Sequence, residues 1–177
     1  LGDVYLNKKS LYEIDSVEKM QNPEAWSQAK YPEDSKRMWY AEVGEKTTKF
    51  WANFGEADPN EEDVEVSVRP FCFWPEKTGR SYITVKGFTI CMASPQWAPP
   101  TALQEGMVGP HWSKGWIIED NLIFETKCVG VSLGKDADGG HDFGPKGTGK
   151  GGTQREQEVI FHALQGNWTK EHIGSHI

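Results

Sequence analysis

The chain lacks a membrane-length apolar run, an excess of basic residues and a cysteine framework. None of its hydrophobic runs approaches the ~18 residues that cross a bilayer. Its 19 Lys and Arg residues against 26 Asp and Glu residues give a net charge of −7, which argues against nucleic acid as a partner because phosphates need a basic surface. The three cysteines are dispersed, without the paired spacing of zinc sites. We therefore expect neither a nucleic-acid partner nor a membrane partner.

Turn-forming residues and aromatic residues are plentiful. The 177 residues include 19 Gly, 10 Pro and 8 Trp. Many turns favour short strands, and each indole offers a flat apolar face with one N–H donor. Such an excess of tryptophan is typical either of surfaces that stack on ligands or of a core filled with large side chains.

Local patterns predict short helices and strands. The predicted helices are residues 17–21, 24–29 and 154–165, and the predicted strands are residues 3–6, 49–54, 64–69 and 82–90. Asp15 or Ser16 caps the first helix, which ends at Asn22 because Pro23 follows. Thr153 caps the third helix, with Glu156 at the capping-box spacing.

Two segments share one pattern at a distance of 33 residues. Residues 83–90 and residues 116–123 each read as three strand-type residues, a charge, a turn former and a closing Ile. A period of this length is typical of solenoids, in which each coil buries its inner face on its neighbours. We therefore expect Val85 and Ile118 at equivalent inward positions, in parallel register. The alternative is an α+β domain in which the two segments agree by coincidence.

Longer strings carry a resemblance to a known family. They are Trp97-Ala98-Pro99-Pro100-Thr101 and His111-Trp112-Ser113-Lys114-Gly115-Trp116, with residues 82–90, 128–135 and 173–177 and a weaker match over 50–53 and 58–60. The chain resembles bacterial right-handed parallel β-helix proteins related to glycoside hydrolase family 141. The resemblance implies an all-β fold, a right-handed parallel β-helix over residues 1–177 with loop insertions at about 91–115 and 135–170 and one short helix.

The same resemblance implies a function and a longer protein. Family members are similar to fucosidases and xylanases, so we expect oligo- or polysaccharide of the plant type as substrate and an extracellular or periplasmic location. The family's proteins are several times longer, and their strongest catalytic acids lie in later coils. We accordingly expect this chain to be the N-terminal part of a longer β-helix, able to stack on another chain through a C-terminal coil that begins at His176.

Candidate sugar-site residues lie mainly in the first insertion. Glycoside hydrolysis needs two carboxyl groups that flank the scissile bond. The candidates for catalysis are Glu105, His111 and Asp120, with Glu119 beside Asp120, and the candidates for substrate binding are Trp97, Trp112 and Lys135. Indoles stack on the apolar faces of pyranoses, and a carboxylate and an imidazole beside them fit a sugar subsite.

Each of these residues has a purely structural alternative. Glu105 is then exposed on a short helical turn capped by Thr101, and His111 hydrogen-bonds to backbone. Asp120 and Asn121 form an ordinary turn, since Asp and Asn favour such corners.

No cofactor or metal is expected. Asp136, Asp138 and Asp142 offer oxygen ligands for calcium only weakly, because the full EF-hand spacing is absent. Residues 144–151 come close to a phosphate-binding loop, but no Ser or Thr follows Lys150. Two functions stay open on the sequence: part of a glycoside hydrolase, or a non-catalytic carbohydrate-binding or scaffold protein.

Overall fold

A computed structural model describes residues 2–99, 103–134 and 161–167. The chain forms two compact units, Leu1–Val68 and Arg69–Ile177, called the first and second unit below. The elements are β1 (Asp3–Leu6), β2 (Lys9–Ser10), β3 (Tyr12–Glu13), α1 (Val17–Gln21), a 3-10 helix (Pro32–Lys36), β4 (Met38–Val43), β5 (Thr48–Asn53), β6 (Val64–Ser67), β7 (Thr84–Lys86), β8 (Thr89–Cys91), β9 (Ile117–Glu119) and β10 (Leu122–Phe124). Strands outnumber helices among these elements, so the predicted all-β character is confirmed.

One sheet of the first unit is antiparallel and centres on β1. The strand order is β2-β1-β6, and β1 pairs antiparallel with both neighbours. All four residues of β1 are buried, among them Val4 and Leu6 of the core. Asp3, at the start of this strand, is buried as well, which requires its carboxylate to be satisfied.

Hydrogen bonds satisfy the Asp3 carboxylate. Oδ1 accepts from the backbone N–H of Val4 at 3.0 Å and from the Trp39 indole N–H at 3.1 Å. Oδ2 accepts from the Ser10 hydroxyl at 2.8 Å. Because Trp39 belongs to β4, this carboxylate joins the β1 sheet to the second sheet of the unit.

The second sheet of the first unit is mixed. β3 and β4 are parallel, while β4 and β5 form an antiparallel hairpin in which Trp39 pairs with Ala52. Helix α1 contacts β4 and β5, and its cap is the predicted one: the Ser16 side chain accepts from the backbone N–H of Lys19. The helix ends at Asn22, also as predicted.

The helix predicted over residues 24–29 does not form. The backbone N–H of Trp26 donates to the buried Ser35 hydroxyl at 2.7 Å. That hydrogen bond links Trp26 to Ser35 of the 3-10 helix, nine positions ahead. The Trp26 N–H therefore bonds to this helix and not within a helix of its own segment. For the helix predicted over 154–165, only the last residues are described, and residues 161–164 are helical.

Two small parallel sheets characterise the second unit. β7 pairs with β9 and β8 pairs with β10, both parallel, and Val85 is in register with Ile118. The predicted register of these two residues is confirmed. Val85, Ile90, Met107, Val108 and Trp116 belong to the core of the unit, and half-buried Ile118 packs against it.

Asn121 links the corners of the two parallel pairs. Its side-chain oxygen accepts from the backbone N–H of Phe88 at 2.9 Å, and its Nδ2 donates to the Val85 carbonyl at 2.8 Å. The chain turns at Gly87 with φ 75° and at Asp120 with φ 53°. These corners therefore fit the structural alternative for Asp120 and Asn121.

The predicted right-handed parallel β-helix is wrong. The named strands form separate sheets of two or three strands, and both three-stranded sheets contain antiparallel pairs. None of these sheets closes on itself. A repeat of two segments specifies the pairing of those two segments. It carries no information about the hairpins elsewhere in the chain.

Candidate functional site

Successive left-handed residues define a turn in the second unit. His111 has φ 46° and Trp112 has φ 59°, a region that costs non-glycine residues about 1–2 kcal/mol each. Buried Pro110 precedes them. The backbone N–H of Trp112 donates to the Leu133 carbonyl at 3.0 Å, and the Trp112 carbonyl accepts from the Gly79 N–H at 3.3 Å. Both hydrogen bonds offset the cost of this conformation.

The His111 imidazole is fixed by a hydrogen bond at Nδ1 and by stacking of its ring on Trp74. Its Nδ1 lies 2.6 Å from the Pro75 carbonyl oxygen, and its ring stacks on Trp74 with centroids 5.1 Å apart and planes 21° apart. A carbonyl oxygen only accepts, so Nδ1 carries the proton and Nε2 of the neutral ring carries the lone pair. The expectation that His111 hydrogen-bonds to backbone is confirmed, and the same bond orients Nε2.

An aromatic stack extends beneath this imidazole. Phe71 stacks on Trp74, the residue that also stacks on His111, with ring centroids 6.0 Å apart. Gly134 closes the stack from below: a Cβ there would lie 3.1 Å from the His111 Cα and 3.2 Å from the Trp74 ring, and its φ is 75°. A residue with a side chain would require these neighbours to shift slightly and would be strained at this positive φ, so the turn, Trp74 and Gly134 form one packed arrangement.

Asp120 has different neighbours from His111. It is exposed, and Lys86 Nζ lies 3.3 Å from its carboxylate and 2.8 Å from that of Glu119. Hydrogen bonds to Glu119 first and to Asp120 second raise the pKa of Lys86. An exposed carboxylate beside an ammonium group is not the apolar setting that keeps a catalytic acid protonated. The setting of Asp120 therefore differs from the one expected of a catalytic acid.

Glu105 and Trp97 lie in irregular segments of the second unit. Glu105 is half-buried and outside any helix, so the predicted helical turn is not formed among the described residues; Thr101 lies outside them. The Trp97 indole is 72% exposed. It is therefore a surface residue and does not fill the core.

Several predicted site residues lie outside the described residues. They are Lys135, the weak calcium candidates Asp136, Asp138 and Asp142, and His176 of the predicted C-terminal coil. Across residues 2–99, 103–134 and 161–167, no group of three or more His, Cys, Asp or Glu side chains could hold a metal ion. Within the same ranges, no helix has the length and apolarity needed to cross a membrane.

Sequence reasoning missed Trp74, Pro75 and Gln104. The three aromatic residues at positions 71, 73 and 74 are the local signal of packing in this segment. His111, which stacks on Trp74, is remote in sequence, so local patterns could not have identified this pair. The structure thus brings together His111, Trp112 and Trp74 and gives Asp120 other contacts.

The similarities to known proteins point to carbohydrate chemistry. Residues 1–66 match the family described as the insertion domain of glycoside hydrolase 120. A solved structure titled "The complex structure of XylC with xylose" is 48% identical to the chain, with a TM-score of 0.77. The similarity covers 96% of this chain and 28% of that one, so the chain spans less than a third of it. No curated protein matches the chain.

These matches confirm and correct the resemblance. The likeness to glycoside hydrolases is confirmed, and the chain is similar to glycoside-hydrolase-associated, carbohydrate-active proteins. The assignment to family 141 is not supported, because the matching family is number 120.

Proposed function

We propose that this chain is part of a glycoside hydrolase that acts on xylose-containing oligosaccharides, and that the His111–Trp112 turn forms part of its sugar-binding surface. The support for the ligand class is the similarity to XylC, whose structure is titled as a complex with xylose. The support for the position of the sugar-binding surface is the left-handed backbone of His111 and Trp112. Backbone strain persists where the surroundings fix it and is frequent at ligand sites.

The turn offers two complementary contacts to a sugar. A neutral imidazole with its lone pair on Nε2 accepts a hydrogen bond from a hydroxyl group. The half-buried indole of Trp112 supplies an apolar face for the C–H groups of a pyranose. In this proposal Trp97 and Lys135 contribute further binding, and Glu105 is the remaining carboxylate candidate. The extracellular or periplasmic location stays a prediction.

A non-catalytic carbohydrate-binding role is the second candidate. The observation that favours it is the exposed carboxylate of Asp120 beside Lys86, which is not the apolar setting that a general acid needs. Release of reducing sugar from xylo-oligosaccharides by the chain would exclude the second candidate, because the binding role predicts affinity without hydrolysis.

Trp112→Gly is the sharpest variant for the sugar-binding surface. Glycine adopts φ 59° without strain, so the substitution removes the indole while it keeps the turn. We expect xylotriose affinity to fall by at least about fivefold, roughly 1 kcal/mol, with an unchanged or raised melting temperature. Calorimetric titration and a thermal melt measure both quantities.

The matched control is Trp26→Ala, which removes an indole that is 56% exposed in the first unit. We expect unchanged affinity in this variant. If Trp112→Gly keeps the affinity but loses about 3 kcal/mol of stability, the indole fills the core and the proposed site is wrong.

A further inference from the structure

Trp97 presents an exposed indole whose ring is not fixed by burial. At 72% exposure the ring gains little from the hydrophobic effect. Its segment, residues 95–99, contains no charged residue. What fixes the position of Trp97 must therefore act on the backbone around it.

One side-chain amide binds the backbone on both sides of Trp97. Gln104 Oε1 accepts from the backbone N–H of Ala98 at 2.8 Å, and Gln104 Nε2 donates to the Gln96 carbonyl at 2.7 Å. This is the pair of hydrogen bonds that a neighbouring strand would supply. Nε2 also donates to the Glu105 carbonyl at 3.0 Å, so both donors and an acceptor position of the amide are used.

The Gln104 backbone is itself anchored to the core of the second unit. Its carbonyl accepts from the Ser132 hydroxyl at 2.6 Å. The Ser132 N–H donates to the carbonyl of Val108 at 3.1 Å, and Val108 is fully buried. A chain of hydrogen bonds therefore runs from the core to the segment that carries the exposed indole.

We propose that Trp97 is a pre-positioned stacking platform for a neutral pyranose ring and that Gln104 is its positioning residue. This inference rests on the proposed function, since it adds a sugar subsite to the same protein. A surface loop that orders only on binding loses affinity to conformational entropy, and the Gln104 amide removes that loss in advance. The uncharged segment and its neutral amide favour a neutral sugar.

The test compares Gln104→Met with Trp97→Ala in the full chain, with xylotriose as the probe. Met has a similar length but cannot form the amide hydrogen bonds. We expect Gln104→Met to abolish the hydrogen-exchange protection of the Ala98 amide and to weaken xylotriose binding about three- to tenfold, with a lower melting temperature because the amide's hydrogen bonds are lost. Trp97→Ala should weaken binding at least as much, and the double variant no further, because both act on one subsite.

The control is Gln96→Met, which makes the same change one residue before Trp97. The Gln96 side chain donates to the Ser94 carbonyl at 3.2 Å. The hydrogen bond to the Gln104 amide comes from the Gln96 backbone carbonyl, which the substitution keeps. Affinity should therefore stay unchanged in this variant. If Gln104→Met does not fold, Gln104→Glu replaces it: the carboxylate keeps the acceptor for Ala98 and loses the donor to Gln96.

Each outcome separates the inference from the proposed function. Suppose that Gln104 variants lose the hydrogen-exchange protection of the Ala98 amide but keep full affinity, while Trp97→Ala weakens binding. Gln104 then stabilises the loop without positioning Trp97 for the sugar, and the inference is wrong. If Trp97→Ala keeps full affinity while Trp112→Gly weakens binding, the Trp97 subsite is wrong and the proposed function stands. If the unchanged chain does not bind xylotriose, both are wrong.

Discussion

Both units consist of short strands, but among the described strands only the first unit contains hairpins, beside its pairing of β1 with the distant β6. In the first unit, β1 pairs with β2, which follows after a two-residue turn, and β4 pairs with β5 through a short hairpin. In the second unit, β7 pairs with β9 and Lys86 meets Glu119, 33 residues later. Hairpins bring the first kind of pair together locally, whereas the second kind needs a long loop to close before any contact forms.

The polar groups of the two units also differ in setting. The first unit buries a carboxylate, Asp3, among three hydrogen-bond donors. The second unit keeps the carboxylates of its corners exposed, next to Lys86. A buried polar group contributes to a unique arrangement and is costly to disturb, while an exposed ion pair contributes little. The comparison therefore predicts an order of mutational effects.

The largest effect is expected in the first unit, at Asp3. Asp3→Ala leaves the Trp39 indole N–H and the Val4 N–H without their acceptor, and we expect the free energy of unfolding to fall by about 3 kcal/mol or more. Urea denaturation measures it. The control Asp15→Ala removes an exposed partner of Lys19 and should leave stability almost unchanged. Equal effects of the two substitutions would contradict the contrast between buried and exposed carboxylates.

An intermediate effect is expected in the second unit, at Asn121. Asn121→Ala removes the hydrogen bonds to Phe88 and Val85, and it should cost about 1–2 kcal/mol. Glu119→Gln, two residues earlier, should cost almost nothing because its ion pair is exposed. A loss at Asn121 no greater than that at Glu119 would show that the corners do not hold the parallel pairs together.

The smallest effect depends on pH and concerns Lys86. The folded-state pKa of Lys86 is raised above its ordinary 10.5. The stabilisation is therefore fully present below that value and is lost as the pH rises through the folded-state pKa. We expect the small stability difference between the unchanged chain and Lys86→Met to be constant from about pH 7 to 9 and to shrink as the pH rises through the folded-state pKa of Lys86. A difference that grows with rising pH would contradict the ion pairs with Glu119 and Asp120.

Local chemistry and one long-range pairing with a repeated pattern were predictable from the sequence, and the rest of the long-range assembly was not. The Ser16 cap and the end of α1 at Asn22 follow from residues within one helical turn. The register of Val85 with Ile118 followed from a repeated pattern, because both copies carry the same turn and charge positions. In each of these cases the deciding residues belong to the segments themselves.

The failures share a physical cause. The β-helix was extrapolated from two segments to residues whose hairpins obey local turn geometry. The helix predicted around Trp26 does not form, because the Trp26 N–H donates to the Ser35 hydroxyl. The Trp74–His111 stack joins residues that no local pattern relates. The Gln104 amide bonds were equally hidden, since a glutamine in a loop carries no signal of which backbone it meets.

The most direct measurement of the central claim follows the indole N–H resonances of the eight tryptophans during a xylotriose titration by NMR. Each indole gives one signal, so the two units report separately. The account predicts saturable shifts at Trp97 and Trp112 of the second unit, while Trp26 and Trp51 of the first unit stay unchanged. Shifts confined to Trp26 and Trp51, or no shift at any tryptophan, would contradict a sugar-binding surface at the His111–Trp112 turn.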